Sequence, residues 1–136
     1  MPMVKKIWMY KPPKSSAPKV SDLTKASISA KAAKLIDNLK PKHIRDPDPG
    51  NDFNYLVDIF GNWHGRYFYF CSKYNSPAAN ALSPSFELKF ARIECAGSDS
   101  FNLSYMRHTG QWIEVFQGLT LDQCLDEIGN NPIFTP

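Results

Sequence analysis

The apolar positions along the chain change period twice. Between residues 21 and 39 they recur at helical spacing, with Ile28, Ala32, Leu35 and Leu39 at i, i+4, i+7 and i+11, one stripe of a 3.6-residue repeat. Ser21 or Asp22 can cap this helix, Lys25, Lys31 and Lys34 fall mostly off the stripe, and Pro41 is expected to end it. From Phe53 the period drops to two. "FNYLVDIF" alternates Phe53, Tyr55, Val57 and Ile59 on one face and predicts a strand. "RYFYFCSKY" predicts a second, with Tyr67, Tyr69 and Cys71 opposed to Phe68 and Phe70; apolar on both faces, it is expected to be central and covered on both sides. "FELKFARIEC" sets Phe86, Leu88 and Phe90 against charges, "FNLSYMR" puts Phe101, Leu103 and Tyr105 on one side, and "QWIEVF" supplies a fifth strand. Helical spacing then returns. Thr120 followed by Gln123 reads as a capping box, Leu121, Cys124, Leu125 and Ile128 form the stripe, and Gly129 stands where a C-terminal glycine belongs.

This pattern predicts an α+β fold. A single five-stranded antiparallel sheet, mostly a meander, should carry the N-terminal and the C-terminal helix on one face. The expected divisions are a basic, proline-rich arm (1–20) and one domain (21–136). Within the domain we expect a helix at 21–39, a linker at 40–52, the sheet at 53–117 and the closing helix at 120–129. "NSPAANALSPS" predicts a loop long enough to cross an edge of the sheet. An uncovered aromatic face, if one remained, would itself be a contact surface.

Charge divides the chain. Residues 1–45 hold eleven Lys/Arg and two Asp/Glu, whereas residues 46–136 hold five and eleven. A basic front end is thus joined to an acidic body, as expected of an arm that docks on its own domain or meets an anionic partner. The arm carries Lys5, Lys6, Lys11, Lys14 and Lys19 around "IWMY", Ile7 to Tyr10, four bulky residues costly to leave in water. Lys5, Lys6, Trp8, Tyr10 and Lys11 are therefore the expected partner contacts, on an acidic surface or in a homodimer formed through the arm. Lysines also neutralise phosphates and aromatics stack on bases. A polyanion or nucleic acid is the less favoured partner, because arginine, the better phosphate fork, is absent from the arm. No apolar run approaches the roughly 18 residues of a membrane span, so no membrane contact is expected. The three cysteines, Cys71, Cys95 and Cys124, are odd in number and widely spaced. Free thiols in the cytoplasm are the simple expectation.

Catalytic and metal-binding patterns are sparse. "YMRHTGQW" and "GNWHGRY" each join histidine, glycine and arginine between strands. Glycine in a left-handed position explains both as hairpin turns. A metal or acid–base pair shared by His64 and His108 is disfavoured, since the first and fourth turns of a meander lie at opposite ends of the sheet. The rival reading is a small enzyme or ligand-binding protein using His64, Arg66, Arg107 and His108, and it requires a concave pocket with converging polar groups near one histidine. His43, His64 and His108 show no metal-ligand spacing. "DPDPGND" lacks the bidentate glutamate of a calcium loop. Nucleophile elbows and phosphate loops are missing too, so we assign no catalytic residue, no metal and no cofactor from the sequence.

The body resembles a group of small uncharacterised bacterial proteins. The segments that carry the resemblance are "SPSFELKFARIE", "FNLSYMRHTGQWIEVF", "GLTLDQCLDEIGNNPIFTP" and, in front, "KKIWMYKPPK". That group has a lysine-rich N-terminal helix, an antiparallel sheet with an Arg-x-x-Gly-x-Trp hairpin, here Arg107, Gly110 and Trp112, and a closing helix. The resemblance implies this architecture and a bacterial cytoplasmic setting, and it implies no activity. The leading expectation, a non-enzymatic binding or assembly module, rests instead on the basic, aromatic arm, with Trp8 and Tyr10 as anchors and the lysines meeting an acidic surface or polyanion.

Overall fold

A computed structural model describes residues 19–136. Helix α1 spans Asp22–His43, and the Ser21 hydroxyl accepts the amide of Thr24 at its start. Its buried stripe is Ile28, Ala32, Ile36 and Leu39. The helix runs past Pro41, four residues beyond its expected end at Leu39. Pro41 lies in the last turn, where the ring forfeits only one amide bond. The Ile44 amide donates to the Lys40 carbonyl, and Arg45 Nη1 donates to the Pro41 carbonyl, so the end of the helix keeps its partners.

Five strands follow: β1 Tyr55–His64, β2 Tyr67–Asn75, β3 Ser85–Gly97, β4 Ser100–Met106 and β5 Trp112–Leu119. They form one sheet in chain order, every neighbouring pair antiparallel. The 76–84 loop does not cross an edge. Asn75 pairs with Ser85 and the Ser76 amide donates to the Pro84 carbonyl, so the loop closes a long hairpin. Helix α2, Leu121–Asn130, follows the sheet with the expected capping box between Thr120 and Gln123, and a 3-10 turn, Pro132–Phe134, follows it.

Both helices pack on one face of the sheet, as the pattern predicted. The register places Trp63, Phe68, Ile93 and Leu103 in one row beneath them, and Gly61, Phe70, Ala91 and Tyr105 in the next. Trp63 donates from Nε1 to the Ser29 hydroxyl of α1 at 2.8 Å, and Lys31 of α1 pairs with Asp122 of α2 at 3.1 Å. Gly61 leaves room over β1 for the Phe68 ring of β2, which a Cβ there would strike.

Several details of the alternation are overturned by bulges. A register shift between Leu56 and Asp58 makes Leu56 and Ile59 the buried pair of β1, and Phe53 is left 80% exposed ahead of the strand. Phe90 is the extra residue of a bulge in β3, so Phe90 and the following Ala91 are both buried while Leu88 stays 53% exposed. Gly129 is not a left-handed cap. It lies inside the last turn of α2, where its missing Cβ admits the Leu35 side chain of α1. Strand β2 is not covered on both sides: Phe68 and Phe70 are buried, but Tyr67 and Tyr69 on the other face are only half-buried.

Candidate functional site

The face turned away from the helices holds a cluster of rings and cations. In register, Tyr69 pairs with Arg92, Arg92 with Ser104 and Ser104 with Glu114, while Trp112 closes the neighbouring row opposite Met106. The Arg92 guanidinium lies between two rings, 4.7 Å from the Tyr67 centroid and 4.8 Å from that of Trp112. Lys89 stands 5.4 Å over Tyr69, and Tyr69 lies 5.7 Å from Trp112. Each stacked cation contributes about 0.5–2 kcal/mol, more as water is excluded.

Arg92 is a cation without a carboxylate partner among the described residues. Its Nη2 reaches only the Ser104 hydroxyl, at 3.5 Å, and its Nε is buried with no hydrogen-bond partner. The nearby carboxylates are occupied. Glu94 pairs with Arg66 at 3.4 Å and accepts from Asn102, and Glu114 accepts from Gln117. Rings therefore hold the guanidinium in place and leave donor edges free for something else.

A second feature lies on the helix side, at the far end of β2 and β3. A cavity of about 400 Å³ opens there, lined chiefly by Ser72, Tyr74, Leu88, Phe90, Met106 and the Arg107–Gly110 turn. Burial pushes the Tyr74 phenol up from its usual range, and the protonated group donates to the Pro136 carbonyl at 2.9 Å. The Ser72 hydroxyl is fully buried with no partner.

The residues anticipated from the sequence separate into three places. Arg107 and His108 border the cavity, in a turn closed by Gly110 at φ 86° with the Gly110 amide donating to the Arg107 carbonyl. His64 and Arg66 sit at the other end of the sheet, around Gly65 at φ 61°. The meander therefore does not bring the two histidines together. Lys5, Lys6, Trp8, Tyr10 and Lys11 lie outside the described residues.

Sequence reasoning missed Arg92 and the role of Trp112. Arg92 follows the Phe90 bulge, and only the register with β2 shows that it shares a face with the tyrosines. The alternation of "ARIE" puts Arg92 and Glu94 on one face but does not say which ring of β2 they meet.

Thiol chemistry is not favoured. Burial raises the thiols of Cys71, Cys95 and Cys124, the last to about 12, and all three cysteines are free. Among the described residues no group of His, Cys, Asp or Glu could hold a metal ion, and no helix is long and apolar enough to cross a membrane.

Two helices on one face of a five-stranded antiparallel meander, with an aromatic and cationic opposite face, define a small α+β domain. Residues 20–136 match the family model described as Domain of unknown function (DUF3024), and the chain belongs to that family. Neither a curated protein nor a solved structure matches it.

Proposed function

We propose that the protein is a non-enzymatic assembly module whose helix-free sheet face binds a second copy of the chain. The carrying observation is the stack of Arg92 between Tyr67 and Trp112, flanked by Tyr69 and Lys89. Tyrosine, tryptophan and arginine are the residues that dominate protein interfaces. The same face carries Glu87, Glu94 and Glu114 among Lys73, Lys89 and Arg92, so two copies related by a twofold axis can set each sign against the other. Five strands about 4.8 Å apart and about 20 Å long give a planar face of about 480 Å², short of the ~800 Å² per partner of a standard interface, so the leading segment has to supply part of the contact.

The sheet edges fit this role less well. β1 is interrupted by its bulge, and β5 by Gly118 at φ 69°. The reading gives the leading segment a supporting part. Lys5, Lys6 and Lys11 meet acidic groups of the partner, while Trp8 and Tyr10 anchor the segment.

The test is sedimentation of the full chain at about 100 µM, where a dimer of micromolar Kd is almost fully formed. A dimer is expected, and Tyr69→Ala with Trp112→Ala should convert it to a folded monomer. A monomeric wild type, or a double variant that stays dimeric, would overturn the reading. Removing residues 1–19 should weaken the dimer; tight polyanion binding by the full chain that is lost on this removal, with the oligomer unchanged, would favour nucleic acid as the partner instead.

A further inference from the structure

We infer that the cavity beside the Arg107–Gly110 turn binds a small amphipathic carboxylate, with an apolar body and a hydrogen-bonding group at the end away from its acid. The cavity lies where the two lids fail to meet. α1 covers β1 and α2 covers β4, and the corner at the far end of β2 and β3 is left with Leu88 half in water. Its volume of about 400 Å³ falls in the range of small-molecule sites.

Three features set the chemistry of the occupant. The walls at Tyr74, Leu88, Phe90 and Met106 are apolar or aromatic and suit a flat or aliphatic body. No Asp or Glu side chain lines the cavity; the main-chain oxygen of Pro136, which does border it, is held by the Tyr74 phenol, and Arg107 has no carboxylate within 4 Å among the described residues. Lys89 also borders the cavity, but its ammonium stands over Tyr69 on the other face of the sheet, so Arg107, with His108 beside it, supplies the positive end. A guanidinium in an exposed turn at the mouth receives a carboxylate through two parallel hydrogen bonds. At the floor, the Ser72 hydroxyl is buried without a partner. Buried hydroxyls normally find one, and a donor or acceptor at the inner end of the ligand would supply it.

This site is independent of the assembly face. Its lining, Lys89 and Met106 apart, lies on the opposite side of the sheet, and neither Tyr69 nor Trp112 borders it, so failure of one proposal leaves the other standing.

Phenylacetate and 4-hydroxyphenylacetate are suitable probes, titrated into the full chain by calorimetry with amide shifts recorded in parallel. Both should bind saturably, and the shifts should centre on Tyr74, Leu88 and Arg107. The hydroxylated probe should bind about tenfold more tightly, the worth of one buried hydrogen bond. Arg107→Gln should weaken both probes about tenfold or more. Ser72→Ala should abolish the difference between them and leave phenylacetate unchanged. Neither variant should unfold the chain, since Arg107 lies in an exposed turn and Ser72→Ala removes an unpaired hydroxyl; thermal melts check this. Absence of saturable binding by either probe up to about 10 mM would overturn the inference. Shifts centred on the opposite face would do the same, as would a Ser72→Ala variant that still prefers the hydroxylated probe.

Discussion

Tyr69 and Phe70 are consecutive residues of one strand, and they differ by a single hydroxyl and by everything around them. Phe70 is wholly buried and packs its ring between Phe68 and Phe90, at 5.1 and 6.1 Å. Tyr69 is half-buried, lies beside Trp112 and carries a lysine over its ring. Rings meet mostly rings and aliphatic groups under the helices, whereas on the other face they meet cations. Alternation along a strand therefore separates the two faces by what the aromatic side chains touch as well as by polarity. The covered face supplies stability. The open face keeps large, partly desolvated groups on display, which a fold does not need for its own sake.

The largest expected contrast comes from truncating these two rings. Phe70→Ala should cost about 3–5 kcal/mol, because it opens a cavity in a core that cannot collapse around it. Tyr69→Ala should cost about 1 kcal/mol or less, the size of a ring–ring and ring–cation contribution at a half-exposed site. Urea unfolding with unchanged m-values measures both. Equal losses would mean that the open face is as structural as the covered one, and would remove the main reason to regard it as a contact surface.

A second contrast uses pH. Cys124 lies on the covered side and Cys71 on the open face, and burial raises both thiols. For Cys124 the rise reaches about 12 from an ordinary value of 9.0, with Asp99, Cys95 and Glu127 adding to it. Above pH 9 the unfolded chain releases this proton while the folded chain retains it, so the folded state binds more protons and stability falls as pH rises. The expected loss from this group is about 1.4 kcal/mol per pH unit between about pH 9 and 12. Stability is full below that window. Cys124→Ala should remove one proton's worth of slope from the stability–pH curve. Cys71→Ala should remove the same slope over a narrower pH window, because burial and Glu87 raise that thiol while Lys89 lowers it. A slope unaffected by Cys124→Ala would show that the thiol ionises without cost in the fold.

Much of this contrast was legible in the chain. The order of elements, the antiparallel sheet, the capping box of α2 and the inward set Phe101, Leu103 and Tyr105 all follow from spacing alone, because period and capping are local properties. What could not be read depends on register. Spacing alone puts Phe90 on one face with Leu88, but one inserted residue buries Phe90 and Ala91 together and turns Arg92 toward the tyrosines. No local property of "FARIE" announces that shift. Gly129 likewise looked like a cap, since glycine serves equally where a left-handed turn is needed and where another helix must come close. Of the site, Arg107 and His108 were singled out for their turn, yet their cavity arises from how far two helices reach over a sheet. Tertiary reach has no sequence period.

The smallest contrast concerns two serines. Ser72 and Ser104 are both buried, with the hydroxyl of Ser72 on the helix side of the sheet and that of Ser104 on the open face. Ser104 receives the Arg92 guanidinium, and Ser72 has no partner. A buried hydroxyl without a hydrogen bond pays its desolvation with no return, so Ser72→Ala should be neutral or stabilise the fold by up to about 1 kcal/mol. Ser104→Ala should cost about 1 kcal/mol, since it leaves Arg92 without its one side-chain acceptor. Thermal melts of the two variants resolve the sign, because about 1 kcal/mol shifts Tm by several degrees in a domain of this size. If Ser72→Ala destabilised the chain as much as Ser104→Ala, the Ser72 hydroxyl would already be bonded in the free protein. The inner polar group required of a ligand would then have nothing to bind.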